Sequence, residues 1–164
     1  MLTLLVCGMY GYESPTDPTC AKSRSGFIIV FSGVPVMWQS KLKTETALST
    51  MEAEIMALAA CMIPIIDMVQ SLAVAVGRQT GVVIMKVSVH EDNSGALVLA
   101  ETLPPQVTPR SKYYAIKTIW FREEIHKRGI KVLKIDTKEQ LGDIFTKGLA
   151  QPAFEYLRSK ILGW

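Results

Sequence analysis

The hydrophobic positions of the chain form short β-type runs near its start and longer helical patterns after residue 50. Residues 3–7, 27–31 and 34–40 are apolar runs rich in β-branched or aromatic side chains. Gly33 and Pro35 fall where the last two runs meet, which is typical of a tight turn. The pattern predicts a first strand, followed after a loop-like segment by a hairpin.

The rest of the chain alternates helical and strand patterns. Apolar residues recur at helical spacing from residue 53, with Ser49 or Thr50 as the cap and Glu54 in the first turn. Pro64 is expected to kink this helix or to end its first half. The later elements are predicted as a strand at 82–89, helices at 94–101 and 111–128, a strand at 130–135, and helices at 138–147 and 152–162. The helix at 111–128 is expected to turn four apolar residues inward, namely Ile116, Ile119, Trp120 and Ile125.

This order of elements predicts an α/β fold in which helices flank a mixed sheet. A length of 164 residues, 49% of them hydrophobic and 20% charged, suits one domain with a real core. We expect that domain at 1–150 and a C-terminal helical tail at 151–164. Residues 55–76 are apolar but are interrupted by Pro64, Asp67 and Gln70, which favours a buried core helix over a membrane span.

The net charge and the cysteine content narrow the possible functional classes of the protein only slightly. A net charge of +3 permits a polyanionic partner without requiring one. The three cysteines form no CxxC pair, and no histidine lies at a metal-ligand offset from them. We interpret them as reduced thiols of an intracellular protein without a zinc site.

Three acidic residues fall where the ends of strands or helices could gather them. Glu54 lies one turn into the long helix, Asp92 follows the central strand, and Asp143 lies on a helix after the last strand. Taken singly, each has a purely structural explanation, as a partner of the helix dipole or as a helix N-cap. Taken together, they make a purely structural explanation of all three less convincing.

Several segments resemble, in order, those of a known family. The chain is similar to the ribonuclease H-like domain of copia-type retrotransposon Pol polyproteins, which follows the reverse transcriptase. The matching segments are 23–27 with "RRSTSGYVF", 38–41 with "ISWKSKKQ", 47–58 with "LSSTEAEYMAL", 89–97 with "CDNQSAI", 109–112 with "SRTKH" and 135–149 with "PTEDQLADILTKPL".

The resemblance implies an RNase H-like fold, a five-stranded mixed sheet with three antiparallel strands leading and parallel strands after them. It also implies two-metal hydrolysis of the RNA strand of RNA–DNA hybrids, with Mg²⁺ or Mn²⁺ ions about 4 Å apart. Glu54, Asp92 and Asp143 are then the catalytic residues and the metal ligands.

The fourth acid of such a site belongs to the first strand, in a segment like "DADWAG". Aligning residues 8–12 with that segment leaves Thr3 at the first Asp and Leu5 at the second. Neither side chain can supply the carboxylate that bridges two metals, so Thr3 marks a degenerate position and hydrolysis is expected to be impaired.

Nucleic-acid contacts are expected from Asn93 and Ser94 and from Arg110 and Lys112. Further basic residues follow, and they could neutralise phosphates or could simply form a solvated helix face. The basic residues of this segment are Arg110, Lys112, Lys117, Arg122, Lys127, Arg128, Lys131 and Lys134. The resemblance further implies an upstream reverse transcriptase as a partner, no membrane, and an intracellular location in cytoplasmic virus-like particles or in the nucleus.

Three functions remain open at this point. The chain could be a ribonuclease H, a catalytically dead, truncated or domesticated module of the same fold that still binds nucleic acid, or a structural or interaction protein. Thr3 in place of an aspartate favours the second over the first, because fewer carboxylates remain to hold metal.

Overall fold

The computed structural model describes residues 2–8, 24–43, 50–80, 86–101 and 115–164. Within these ranges the chain forms five strands and four α-helices, joined near the end by two short 3-10 helices. In chain order they are β1 (Leu2–Gly8), β2 (Arg24–Phe31), β3 (Val34–Leu42), α1 (Thr50–Thr80), β4 (Val87–Glu91), α2 (Ser94–Glu101), α3 (Ala115–Arg128), β5 (Lys131–Lys134), the 3-10 helices Thr137–Glu139 and Leu141–Phe145, and α4 (Gln151–Leu162). The predicted α/β class is confirmed.

The five strands lie in one sheet in the order β3-β2-β1-β4-β5. The pairs β3–β2 and β2–β1 are antiparallel, whereas β1–β4 and β4–β5 are parallel. Ser32 and Gly33 join β2 to β3 and both have positive φ, 50° and 85°, which suits the two-residue turn of a hairpin. The predicted hairpin is therefore present. Parallel pairing brings the C-terminal ends of β1 and β4 to the same edge of the sheet.

Helix α1 covers one face of the sheet and supplies more of the core on that side than any other described element. Its buried residues pack against alternate residues of β2 and β4 and against α3. The side chains in this cluster include Ile55, Leu58, Met62 and Ile65 from α1, Phe27 and Ile29 from β2, Val87 and Val89 from β4, and Phe121 and Ile125 from α3. The spacing of the four α1 residues fits one face of a helix.

The opposite face of the sheet carries the 3-10 helix Leu141–Phe145. Gly26 directly precedes the core residue Phe27 on β2, and a Cβ built on it would stand 2.6 Å from Phe145 Cβ and 2.7 Å from Thr146 Cγ2. Only a glycine permits this close approach. Phe27 points toward α1, so its neighbour Gly26 points the other way, and the 3-10 helix lies across the sheet from α1.

Helix α1 runs without interruption through Pro64, so the proline does not end the first half of the helix. Proline has no N–H to give to the carbonyl of Ala60, but Ala60 is exposed, so water can satisfy that group. Residues Ala53–Ala75 are long and apolar enough to span a membrane by length and composition. In this fold the first half of the stretch packs against the sheet, with Ile55, Leu58, Met62 and Ile65 fully buried.

The predicted helix at 138–147 is wrong in type, because two 3-10 helices occupy this region. The Asp136 carboxylate accepts from Lys138 N at 2.9 Å, and Gln140 Oε1 accepts from Gly142 N at 3.3 Å. Two side-chain caps four residues apart start a new turn each time, which leaves no room for a continuous α-helix.

The buried face of α3 is rotated from the predicted one. Ile116 is 85% exposed, whereas Thr118, Phe121 and Arg122 are buried together with Ile125. The expectation that Ile116 points inward is therefore wrong. The buried Arg122 explains the error, because hydrophobic spacing alone gives no reason to turn a cation inward.

Candidate metal centre

Glu54 and Asp92 reach the same edge of the sheet from two elements. Glu54 lies in the first turns of α1, which begins at Thr50. Asp92 comes directly after β4, which ends at Glu91. The helix starts where the parallel strands end, so the two predicted site residues come close together.

The structure adds Glu91 to them. One carboxylate oxygen from each of Glu54, Glu91 and Asp92 lies within 4.8 Å of the other two. Glu91 is fully buried, Glu54 is 7% exposed and Asp92 is half-buried. Carboxylate oxygens are hard ligands of the kind that Mg²⁺, Mn²⁺ and Ca²⁺ prefer. This acidic cluster (Glu54, Glu91 and Asp92) is the candidate metal centre.

Burial and mutual repulsion change the chemistry of Glu91. Loss of water raises the pKa of Glu91 to about 9, and the neighbouring charges of Glu54 and then Asp92 act in the same direction. A hydrogen bond from Asn93 N to Glu91 Oε1, 3.0 Å long, opposes the rise. In the metal-free protein Glu91 therefore holds a proton at neutral pH. Burial also raises the pKa of the Cys61 thiol, and Glu91 adds to that rise.

Asp143 reaches the sheet from the other face, on the 3-10 helix Leu141–Phe145. It is 3% exposed, and its Oδ2 pairs with Lys147 Nζ at 2.8 Å. Within the described part of the chain, the carboxylate oxygens that lie within 4.8 Å of one another in the acidic cluster do not include those of Asp143. The buried Gln140 holds this helix to β4, since its Nε2 donates to the His90 carbonyl oxygen at 3.4 Å.

The predicted nucleic-acid contacts fall in different places. Asn93 Oδ1 accepts from Ala96 N at 3.1 Å and so caps α2, while Ser94 is exposed at the start of that helix. Arg110 and Lys112 lie outside the described residues. Arg122 is 1% exposed, so its guanidinium faces the interior rather than a phosphate.

The strand register does not bring Thr3 to the acidic cluster. Thr3 pairs with Ser88 on β4, four residues before Asp92 and therefore about 13 Å along the strand. The last pair of this parallel ladder is Leu5 with His90. Continued two residues beyond that pair, the same register would set Cys7 level with Asp92. Cys7 also pairs with Gly26 of β2.

The sequence predicts Glu54 and Asp92 as site residues but gives no prediction for Glu91, which the structure places beside them. The missing signal is the alternation along β4, where Val87, Val89 and Glu91 share the face that α1 covers. An acid at the third inward position of a buried strand is costly to bury, and this cost makes it a candidate for function.

Comparison with solved structures defines the class by its fold. The chain matches an RNase H1 solved in complex with an RNA/DNA hybrid, with a TM-score of 0.53 and 16% identity over 89% of this chain and 94% of that one. It also matches the N-terminal RNase H domain of Rv2228c from Mycobacterium tuberculosis, with a TM-score of 0.53 and 10% identity over 96% of both chains. The fold is RNase H-like.

Comparison of sequences points to one group within that class. The chain is 31% identical over 140 residues to the Pol polyprotein of transposon TNT 1-94 from Nicotiana tabacum. It is 28% identical over 142 residues to that of transposon RE1 from Arabidopsis thaliana, and 27% identical over 139 residues to the Gag-Pol polyprotein of transposon Ty1-DR1 from Saccharomyces cerevisiae.

These matches each cover 85% of the chain but only 8–10% of the polyproteins. The chain thus spans about a tenth of the length of the curated relatives it matches. No family model matches. The predicted resemblance to Pol polyproteins of copia-type transposons is confirmed.

Proposed function

We propose that the protein is an RNase H-like domain of a copia-type Pol polyprotein that binds RNA–DNA hybrids and hydrolyses their RNA strand poorly. One observation carries this proposal. Glu54 and Asp92 converge as such a site requires, while β1, whose sequence is LTLLVCG, contains no acidic residue. The fold supports a nuclease, and the composition of β1 supports its impairment.

The cation we propose is Mg²⁺ or Mn²⁺, held by Glu54 and Asp92 from one side and by Asp143 from the other. The residues fit such an ion, because the acidic cluster offers oxygen ligands and includes a carboxylate oxygen, Glu91 Oε2, without a hydrogen-bond partner in the described part of the chain. Bound metal would activate water and stabilise the leaving oxygen of a phosphodiester. The protein's own part is to place these carboxylates and to exclude water from Glu91.

Binding of the hybrid would depend on basic side chains near this edge. A cavity of about 320 Å³ lies between β3, α1 and α3, and Lys41, Lys117 and Trp120 help to line it. Lys127, Lys131 and Lys134 are exposed further along the chain. Arg110 and Lys112 remain proposed contacts, as do Asn93 and Ser94. Phosphate contacts of this kind predict binding that weakens steeply as salt rises.

The proposed setting follows from the relatives. The domain would act beside an upstream reverse transcriptase of the same polyprotein, and its location would be intracellular, in virus-like particles or in the nucleus.

Binding and hydrolysis of a labelled RNA–DNA hybrid test the proposal together. We expect micromolar or tighter binding that weakens at least tenfold between 50 and 200 mM salt, about what two or more phosphate contacts produce. We expect little or no cleavage in Mg²⁺ or Mn²⁺. Robust cleavage that disappears in Asp92→Asn would contradict the impairment, and failure to bind any hybrid would contradict the proposed substrate.

A further inference from the structure

We propose that Glu91 is a third carboxylate ligand, which with Glu54 and Asp92 holds one hard divalent cation at the end of β4. This inference shares Glu54 and Asp92 with the proposed function but concerns metal binding rather than hydrolysis. It assigns to Glu91 a role that neither the sequence motifs nor the relatives indicate.

The first observation is the geometry of the Glu91 carboxyl group. Its Oε1 accepts the Asn93 N–H at 3.0 Å. Its Oε2 is buried and has no hydrogen-bond partner among the described residues. A buried carboxylate oxygen without a partner loses its hydration and gains nothing in return, so native structures rarely keep one without a use for it. A cation bound at Oε2 would supply the missing partner.

The second observation is that two other carboxyl groups lie close to Glu91. Oxygens of Glu54 and Asp92 stand within 4.8 Å of one of its own oxygens. Three carboxyl groups this close, two of them buried, repel one another when ionised. A divalent cation among them turns that repulsion into attraction, as carboxylate metal sites generally do.

The third observation is that the strand beside β4 supplies no carboxylate. β1 is LTLLVCG and offers no acid beside β4. In the "CDNQSAI" segment that residues 89–97 resemble, a cysteine precedes the aspartate where this chain has Glu91. Glu91 therefore returns a carboxylate to the site from the neighbouring strand. It stands on the face of the sheet that α1 covers, and α1 carries Glu54.

Titration with Mn²⁺ tests this inference, with the unbound ion measured by electron paramagnetic resonance in the full chain at pH 7.5. We expect one site in the wild-type protein. Glu91→Gln should weaken it at least tenfold, and Glu91→Cys, which restores the residue of the resembling segment, should do the same. Asp67→Asn, which removes an exposed carboxylate from α1, is the matched control and should leave the affinity unchanged.

Folding of each variant is checked by circular dichroism and by thermal unfolding with and without Mn²⁺. Glu91→Gln keeps the shape of the protonated side chain, and we expect Mn²⁺ to raise the melting temperature of the wild type but not of this variant. Wild-type affinity in Glu91→Gln, with binding lost in Glu54→Gln and Asp92→Asn, would overturn the role of Glu91 and leave the proposed function standing. Absence of any Mn²⁺ site in the wild type would also overturn it, while hybrid binding is scored separately.

Discussion

At the scale of single residues, Glu91 shows how position alters the chemistry of a common side chain. It follows Val87 and Val89 on the inward face of β4, where water is excluded and two other carboxyl groups stand nearby. The pKa of about 9 results from that burial first and from Glu54 and Asp92 second. At neutral pH and without metal, Glu91 is therefore protonated in the folded protein. In the unfolded chain, where its pKa has the ordinary value of 4.5, it is ionised.

This difference predicts how stability depends on pH in the metal-free protein. Because the folded-state pKa is raised, its stabilising contribution is complete below about pH 4.5 and is lost as pH rises through about 9. Between these values the wild type should lose up to about 1.4 kcal/mol of unfolding free energy per pH unit relative to Glu91→Gln. Urea unfolding of both proteins in chelator, from pH 5 to 9, measures the difference. Parallel pH profiles would contradict the assignment, and Glu123→Gln, an exposed acid of α3, serves as control.

At the scale of elements, the 3-10 helix Leu141–Phe145 can pack closely on β2 because β2 has a glycine at the contact. Gly26 has no side chain, and Phe145 and Thr146 occupy the space that one would fill. Ser40 Oγ donates to the Phe145 carbonyl oxygen and accepts from Arg24 at 3.1 Å, which fastens the same contact to β3. The placement of Asp143 therefore depends on Gly26 and Ser40, neither of which has a catalytic role.

Adding one methyl group to Gly26 tests this dependence. Gly26→Ala should destabilise the protein by about 1–3 kcal/mol, because Phe145 Cβ is close to the backbone and cannot swing away. Gly148→Ala is the matched control: it has nothing within 4 Å of its added Cβ and should change stability by less than about 0.5 kcal/mol. Equal unfolding free energies for the two variants, measured in urea, would show that the contact at Gly26 does not hold the 3-10 helix in place.

The elements also show where sequence patterns succeed. The hairpin of β2 and β3, helix α2 and helix α4 follow from local signals that their own residues carry, such as a turn glycine or an N-cap. The buried Arg122 does not, because it depends on burial against other elements. The 3-10 helices depend on two side-chain caps in close succession, a signal that hydrophobic spacing does not carry. Strand register is the hardest to predict, and the difference between Thr3 and Cys7 opposite β4 depends on it entirely.

At the scale of the whole molecule, fold and ancestry could be predicted more fully than the site. The order of motifs along the chain indicated copia-type Pol polyproteins, and the relatives confirm that resemblance over 85% of its length. Glu54 and Asp92 were predicted as site residues because each stands inside a recognisable segment. Glu91 was not predicted, because its inward position depends on which face of β4 helix α1 covers. The position on β1 level with Asp92 was not predicted either, because it depends on pairing between strands that are more than 80 residues apart.

The decisive measurement is the rate at which the RNA strand of a labelled hybrid is cleaved in Mg²⁺. This rate is compared between the wild type, Cys7→Asp and Thr3→Asp. If hydrolysis is impaired because β1 lacks a carboxylate level with Asp92, Cys7→Asp should raise the rate at least tenfold over a wild type close to background. Thr3→Asp, four residues away on the same strand, should not. A wild type that cleaves robustly, or a rate that Thr3→Asp restores and Cys7→Asp does not, would contradict the account.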